Sequence, residues 1–139
     1  MVERDVVLAK VAAIDHCLAR IREVRSGGDR HLLPVDVEDI VVLNLQRAAQ
    51  AAIDLAAHVV ATEAYGLPAD LADTFTLLEQ HGVIGSELAT RLRKMVGFRN
   101  IAVHQYEALD PRVIDAIVEQ RLGDFRQLAD AITKRFGLP

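Results

Sequence analysis

Val7, Val11, Ile14, Leu18 and Ile21 advance by four and three residues, the spacing that lines side chains along one stripe of an α-helix. That helix is expected to stop at Ser26-Gly27-Gly28. A loop holding Leu33-Pro34 follows. Asp36 reads as the N-cap of a second helix, because a carboxylate there accepts from the unpaired amides of the first turn; Asp39 lies three residues on. The second helix runs to about Ala64, and its segment RAAQAAIDLAAHVVA is rich in Ala, which favours helix and allows close approach of a neighbour. It is the expected central packing helix. Gly66 and Pro68 punctuate its end, and Pro68 suits the first turn of a shorter helix through Leu71, Phe75 and Leu78, stopped by His81-Gly82. Ser86 is expected to cap a fourth helix, with Glu87 in its first turn, where the helix dipole favours a carboxylate. Asp110-Pro111 reads as N-cap and first residue of a last helix with the stripe Ile114, Val118, Phe125, Leu128, Ile132 and Phe136, ended by Gly137. These elements predict one all-α domain over residues 1–139, an antiparallel four-helix bundle with an additional short helix.

Composition agrees with packed helices. Apolar residues make up 51% of the chain but aromatics only 4%, with no Trp, so the core falls to Leu, Val, Ile and Ala. The single cysteine, Cys17, cannot close an intrachain disulfide, and MVERDVVLAK lacks the layout of a secretory signal. A cytoplasmic location is expected, without a membrane anchor, since AAIDLAAHVVA is interrupted by Asp54 and His58 and is far shorter than a span. A formal net charge of −4 argues against a surface that grips polyanions everywhere. Any nucleic-acid contact must be local, and Arg91, Arg93, Lys94 and Arg99 form the one basic run suited to it, although a solvated helix face is the commoner meaning of such a run.

The fourth helix carries an anomaly. Leu88, Leu92, Met95, Val96 and Val103 fall on one apolar stripe, with Arg99 in its midst. A guanidinium there must pair with a carboxylate, for which Asp54 is a candidate, reach water along its stem, or face a cavity that takes an anion. Asn100 and His104 are four apart and so share a second face, about 140° from Arg99 in a regular helix. Arg99 and His104 converge only if the arginine curls, if the helix loosens near Tyr106, or if two copies juxtapose their fourth helices, the arrangement favoured here. An imidazole can take a proton from a ribose 2′-hydroxyl or give one to a leaving 5′-oxygen, while a guanidinium braces the phosphate, with no metal required. Spacing alone makes Arg-x4-His a weak signal.

More of the chain supports it. RNIAVHQY resembles the Arg-x4-His-x-Tyr motif of the HepT branch of HEPN proteins, toxins of toxin–antitoxin pairs. QRAAQAAIDLAAHVVA, the Gly66-Leu67-Pro68 break, FTLLEQHGVI and MVGFRNIAVHQY follow the family's order and spacing, so the similarity spans nearly the whole chain. The resemblance implies a dimer cleft in which Arg99 and His104 serve metal-independent RNA cleavage, with Asn100 at the polar position often found after the arginine. It also implies that Tyr106 is the tyrosine which an MNT-type nucleotidyltransferase antitoxin can modify with AMP, and that homodimers can assemble further with that partner. The chain is not that antitoxin: after Gly85-Ser86, the positions of its Asp-x-Asp pair hold Gly97 and Arg99.

The remaining polar residues read as structural. Asp54 and His58 suggest a hydrogen-bonded pair more than a metal site, because no further ligands stand at a recognisable spacing. His16, His31 and His81 read as surface or loop residues, Cys17 as a small buried thiol, and Tyr65 as packing near a helix end. The leading expectation is a homodimeric, metal-independent ribonuclease toxin that needs no cofactor. Its rivals are a helical module that binds a nucleotidyltransferase without cleaving RNA, and an RNA binder without chemistry.

Overall fold

The computed structural model describes residues 1–27 and 31–139, so Gly28, at the expected end of the first helix, lies outside them. Among the described residues six α-helices follow one another: α1 (Arg4–Arg25), α2 (Pro34–Thr62), α3 (Asp73–Gln80), α4 (Ser86–His104), α5 (Pro111–Gln120) and α6 (Leu122–Arg135). A 3-10 turn, Tyr106–Ala108, joins α4 to α5. The fold is all-α, with no strand among the described residues.

Long-range contacts give the direction of each long helix. The N–H of Glu3 donates to His58 Nε2 at 3.0 Å and Lys10 pairs with Asp54 at 3.2 Å, so α1 starts where α2 ends. Tyr106, just past α4, reaches Asp39 near the start of α2. Arg91 faces Asp124 and Arg135 reaches the carbonyl of His81, which sets α6 antiparallel to α4, and Arg126 pairs with Asp15 of α1. The four long helices therefore run up, down, up and down around one core. α2 lies at its centre, with Leu45, Ala48, Ala49, Ala52, Leu55, Ala56 and Val59 almost wholly buried. Burying Leu45 or Leu55 contributes about 1.5–3 kcal/mol each, and the alanines between them let α1, α3, α4 and α6 pack closely.

The helix ends depart from the sequence reading in small, explicable ways. Leu33 is the N-cap of α2 and Pro34 its first residue; Asp36 sits one turn in and its carboxylate accepts from the N–H of Leu33 at 2.9 Å. α2 ends at Thr62, where Ala64 takes a left-handed φ of 55° and the N–H of Tyr65 donates back to the Val60 carbonyl. Pro68 does not open α3. Pro68 is irregular, residues 69–72 bend and turn, and the helix starts at Asp73, whose own carboxylate accepts from the N–H of Ala69. Gly85 rather than Ser86 is the N-cap of α4, and Ser86 is its first helical residue. Asp110 caps α5 as expected, accepting from the N–H of Arg112 at 2.9 Å. The expected single last helix is two: Arg121 leaves helical geometry at φ −122°, ψ −1°, next to Leu122-Gly123, where a glycine weakens helix propagation.

Candidate active site

α4 is buried along Leu88, Ala89, Leu92, Val96, Phe98 and Ala102. The apolar stripe keeps its direction, but on that side the core ends near Val96. Beyond it Arg99 is half-buried and Val103, expected inside, is 39% exposed. The arginine therefore does not lie within the core; it stands on the line of the stripe where the bundle no longer covers it. Its charge stays within reach of water while its stem packs.

The Nη1 of Arg99 donates to Asn100 Oδ1 at 3.1 Å. Asp54 is not its partner, because that carboxylate is taken by Lys10 and by Gln50 Nε2 at 2.8 Å. α4 remains helical through His104, and the chain leaves α-helical geometry at Gln105, just before the 3-10 turn that holds Tyr106. The Asn100 contact holds the guanidinium on the Asn100 side of Arg99. Asn100 and His104 are four apart on a regular helix and so are neighbours on its surface. The Nε of Arg99 is buried and has no hydrogen-bond partner among the described residues. His104, the last residue of α4, is exposed and makes no hydrogen bond or ion pair among them. A half-buried guanidinium tied to Asn100 and an exposed, unengaged imidazole thus stand five residues apart at the end of α4.

Tyr106 follows in the 3-10 turn, 46% exposed, and its Oη donates to Asp39 Oδ1 at 2.6 Å. That hydrogen bond, helped by partial burial and by the negative charges of Asp39 and Glu38, pushes the phenol up to about 12. Sequence reasoning assigned Asp39 only a first-turn role. No local pattern ties it to a tyrosine 67 positions away.

The basic run divides by role. Arg93 donates to Thr76, Glu79 and Thr90 at 3.0–3.3 Å, locking α3 to α4. Arg91 lies 3.8 Å from Asp124 of α6 and 3.9 Å from Glu87. Arg91 and Lys94 line a largely apolar groove of about 820 Å³ between α4 and the α5–α6 arm, floored by Met95, Phe98, Leu109 and Phe125. Arg99 and His104 do not line this groove.

The other residues are structural. His58 accepts from the N–H of Glu3 and is not paired with Asp54, so the expected pair is replaced by two separate ties onto α1. Tyr65 stacks on His81 with ring centroids 4.0 Å apart. Cys17 is buried, and that burial pushes its thiol up. Among the described residues no group of three or more His, Cys, Asp or Glu side chains is placed to hold a metal ion. Among the described residues no helix is long and apolar enough to cross a membrane.

Comparison with known proteins places this arrangement. The model of the family "Ribonuclease HepT-like" matches residues 14–132. The mRNA nuclease HepT of Shewanella oneidensis is 40% identical over 128 residues, covering 92% of this chain and 96% of that protein. A solved structure of a tri-AMPylated Shewanella oneidensis HEPN toxin in complex with MNT antitoxin superposes with a TM-score of 0.87 at 39% identity, covering 95% of this chain and 99% of that one. A crystal structure of a toxin–antitoxin with AMP-PNP gives a TM-score of 0.86 at 38% identity, covering 94% and 98%. With the fold, the family match and these relatives in agreement, the chain belongs to the HepT-like ribonuclease family.

Proposed function

We propose that this protein is a metal-independent endoribonuclease toxin whose catalytic group is Arg99, Asn100 and His104. The observation that supports the proposal is the Arg99–Asn100 hydrogen bond, which ties the guanidinium to the residue one helical turn before the unengaged His104, so that all three lie toward the exposed faces of the end of α4. Two copies pair so that these faces line a common cleft; the exposed Ile101 and Val103, beside the site, are apolar surface suited to that pairing. His104 removes the 2′-hydroxyl proton of RNA and returns a proton to the departing 5′-oxygen. Arg99 spans two phosphate oxygens and stabilises the charge that builds on them, with Asn100 holding its orientation. Arg91 and Lys94 give the approaching strand an electrostatic hold, and Arg93 adds to the positive field while bracing the helix.

The partner is an MNT-type nucleotidyltransferase antitoxin, in keeping with the complexes formed by the similar chains, and Tyr106 is the acceptor of AMP. Each added AMP brings a negative phosphate and bulk two residues from His104, which repels the RNA phosphate and blocks the cleft. Both activities act in the cytoplasm, where RNA and ATP are at hand.

The test is expression of the chain alone and with the antitoxin, alongside purified protein and RNA. Growth arrest and RNA cleavage are expected from the wild type, relieved by R99A or H104A and by co-expressed antitoxin. Unimpaired growth together with a stable antitoxin complex and intact RNA would instead support a non-catalytic binding module. Strongly salt-dependent RNA affinity without cleavage would indicate binding alone.

A further inference from the structure

Tyr106 has a partner that the cleavage chemistry does not use. We propose that Asp39 is the general base for nucleotidylation of Tyr106, so that the acceptor chain itself supplies the carboxylate that takes the phenolic proton. The inference rests on Tyr106 being the acceptor of AMP.

The geometry is already that of a base in contact with its nucleophile. Tyr106 Oη donates to Asp39 Oδ1 at 2.6 Å, a charge-assisted distance, and the phenol remains 46% exposed, so its oxygen can still receive an electrophile. In the transfer, a lone pair of Oη forms a bond to the α-phosphorus of ATP. The bond from that phosphorus to the bridging oxygen of the β-phosphate breaks, pyrophosphate leaves, and the Oη proton passes to Asp39 Oδ1. Asp39 is itself exposed and returns that proton to solvent. An aspartate that accepts a hydroxyl proton as phosphorus is attacked is the arrangement protein kinases use, there supplied by the enzyme rather than the acceptor.

Prior ionisation of the phenol is the costlier route. The groups around Oη are acidic: Asp39 and Glu38 on α2 both raise it, and Glu107 follows it in its own turn, with His104 two residues before. With the phenol pushed up to about 12, roughly one molecule in 10⁵ carries a free phenolate at pH 7. Transfer of the proton during attack avoids that scarcity. A clamp that only held the ring in place would work as well with an amide, since Asn presents the same Oδ1 acceptor but cannot take a proton.

The experiment uses the full chain with its antitoxin and ATP, and follows AMP incorporation into the chain, with the modified residue mapped by mass spectrometry, for the wild type, Y106F, D39N and D39E. D39N is expected to lose at least about 30-fold in kcat at pH 7, with KM for the acceptor chain within about twofold, as removal of a general base requires. Its rate should then climb about tenfold per pH unit from 7 to 9 as hydroxide replaces the base, while the wild type stays flat, and D39E should recover part of the loss. Wild-type kcat in D39N, or a loss confined to KM with the wild-type pH profile, would overturn the assignment. Undiminished AMP incorporation in Y106F would overturn the acceptor reading instead, and separately.

Discussion

Replacing Asn100 with Ala removes the acceptor that holds the Arg99 guanidinium. Asn100 is exposed and sits on a helix that Ala favours, so folding stability should change by less than about 0.5 kcal/mol. The loss falls on orientation. A hydrogen bond to a charged group is worth about 1.5–3 kcal/mol when sheltered, and the exposure of Asn100 reduces this one to about 1 kcal/mol. At about 1.4 kcal/mol per factor of ten, kcat/KM for RNA cleavage should drop about fivefold. Removing the guanidinium itself, in R99A, should cost 10²–10³-fold, the scale set by deleting one preorganised donor to a developing anion. The assay is initial-rate cleavage of a fluorophore–quencher RNA at fixed salt by the wild type, N100A, R99A and the double variant. Because Asn100 acts through Arg99, N100A should cost nothing further in the R99A background, giving a coupling energy of about 1 kcal/mol. A fivefold loss that persists without Arg99, or an N100A defect as deep as that of R99A, would refute this division of labour.

R93A should destabilise the fold by about 1–2 kcal/mol in urea titration, because it leaves Glu79 and Thr76 without the guanidinium that joins α3 to α4; full stability with weakened RNA binding would make Arg93 an RNA contact instead of a strut. Gly97 lies inside α4 and a Cβ built on it meets nothing within 4 Å, so G97A should add about 0.5–1 kcal/mol; destabilisation would mean that the groove side of α4 is packed against something in solution. Absorbance at 295 nm should show one tyrosine titrating at about 12 and lost in Y106F. The folded state holds that proton more tightly than the unfolded chain, so its stabilising contribution is complete below about pH 10 and is lost as pH rises through about 12; a normal phenol titration in the wild type would contradict the Asp39 hydrogen bond.

Much of this architecture was readable in the chain, and the gaps have physical causes. The stripes of α1 and α6 and the alanine surface of α2 identify buried positions because helix burial repeats with the helix period. Ends were less legible. Asp36 and Ser86 are good caps by residue type, yet the chain starts α2 one turn earlier at Pro34 and caps α4 with Gly85, since cap preferences are worth only about 1 kcal/mol and yield to packing. The break at Arg121 leaves the hydrophobic spacing intact and so has no signature in it. At the site, the Arg-x4-His pattern located the polar residues, but the angular arithmetic placed Arg99 and His104 about 140° apart because it carries no information on side-chain torsions. The hydrogen bond from Arg99 to Asn100 is a side-chain contact of the kind that such arithmetic omits. The Tyr106–Asp39 contact joins residues from two distant helices and exists only once the bundle has closed.

The most direct test of the account is the chemistry of the RNA ends. A 2′-hydroxyl activated by His104 and a phosphate braced by Arg99 should leave 2′,3′-cyclic phosphate and 5′-hydroxyl termini, at the same rate with excess EDTA. H104A and R99A should produce neither. Undiminished cleavage by H104A, or cleavage that EDTA abolishes, would contradict the assignment of Arg99 and His104 as a metal-independent catalytic pair.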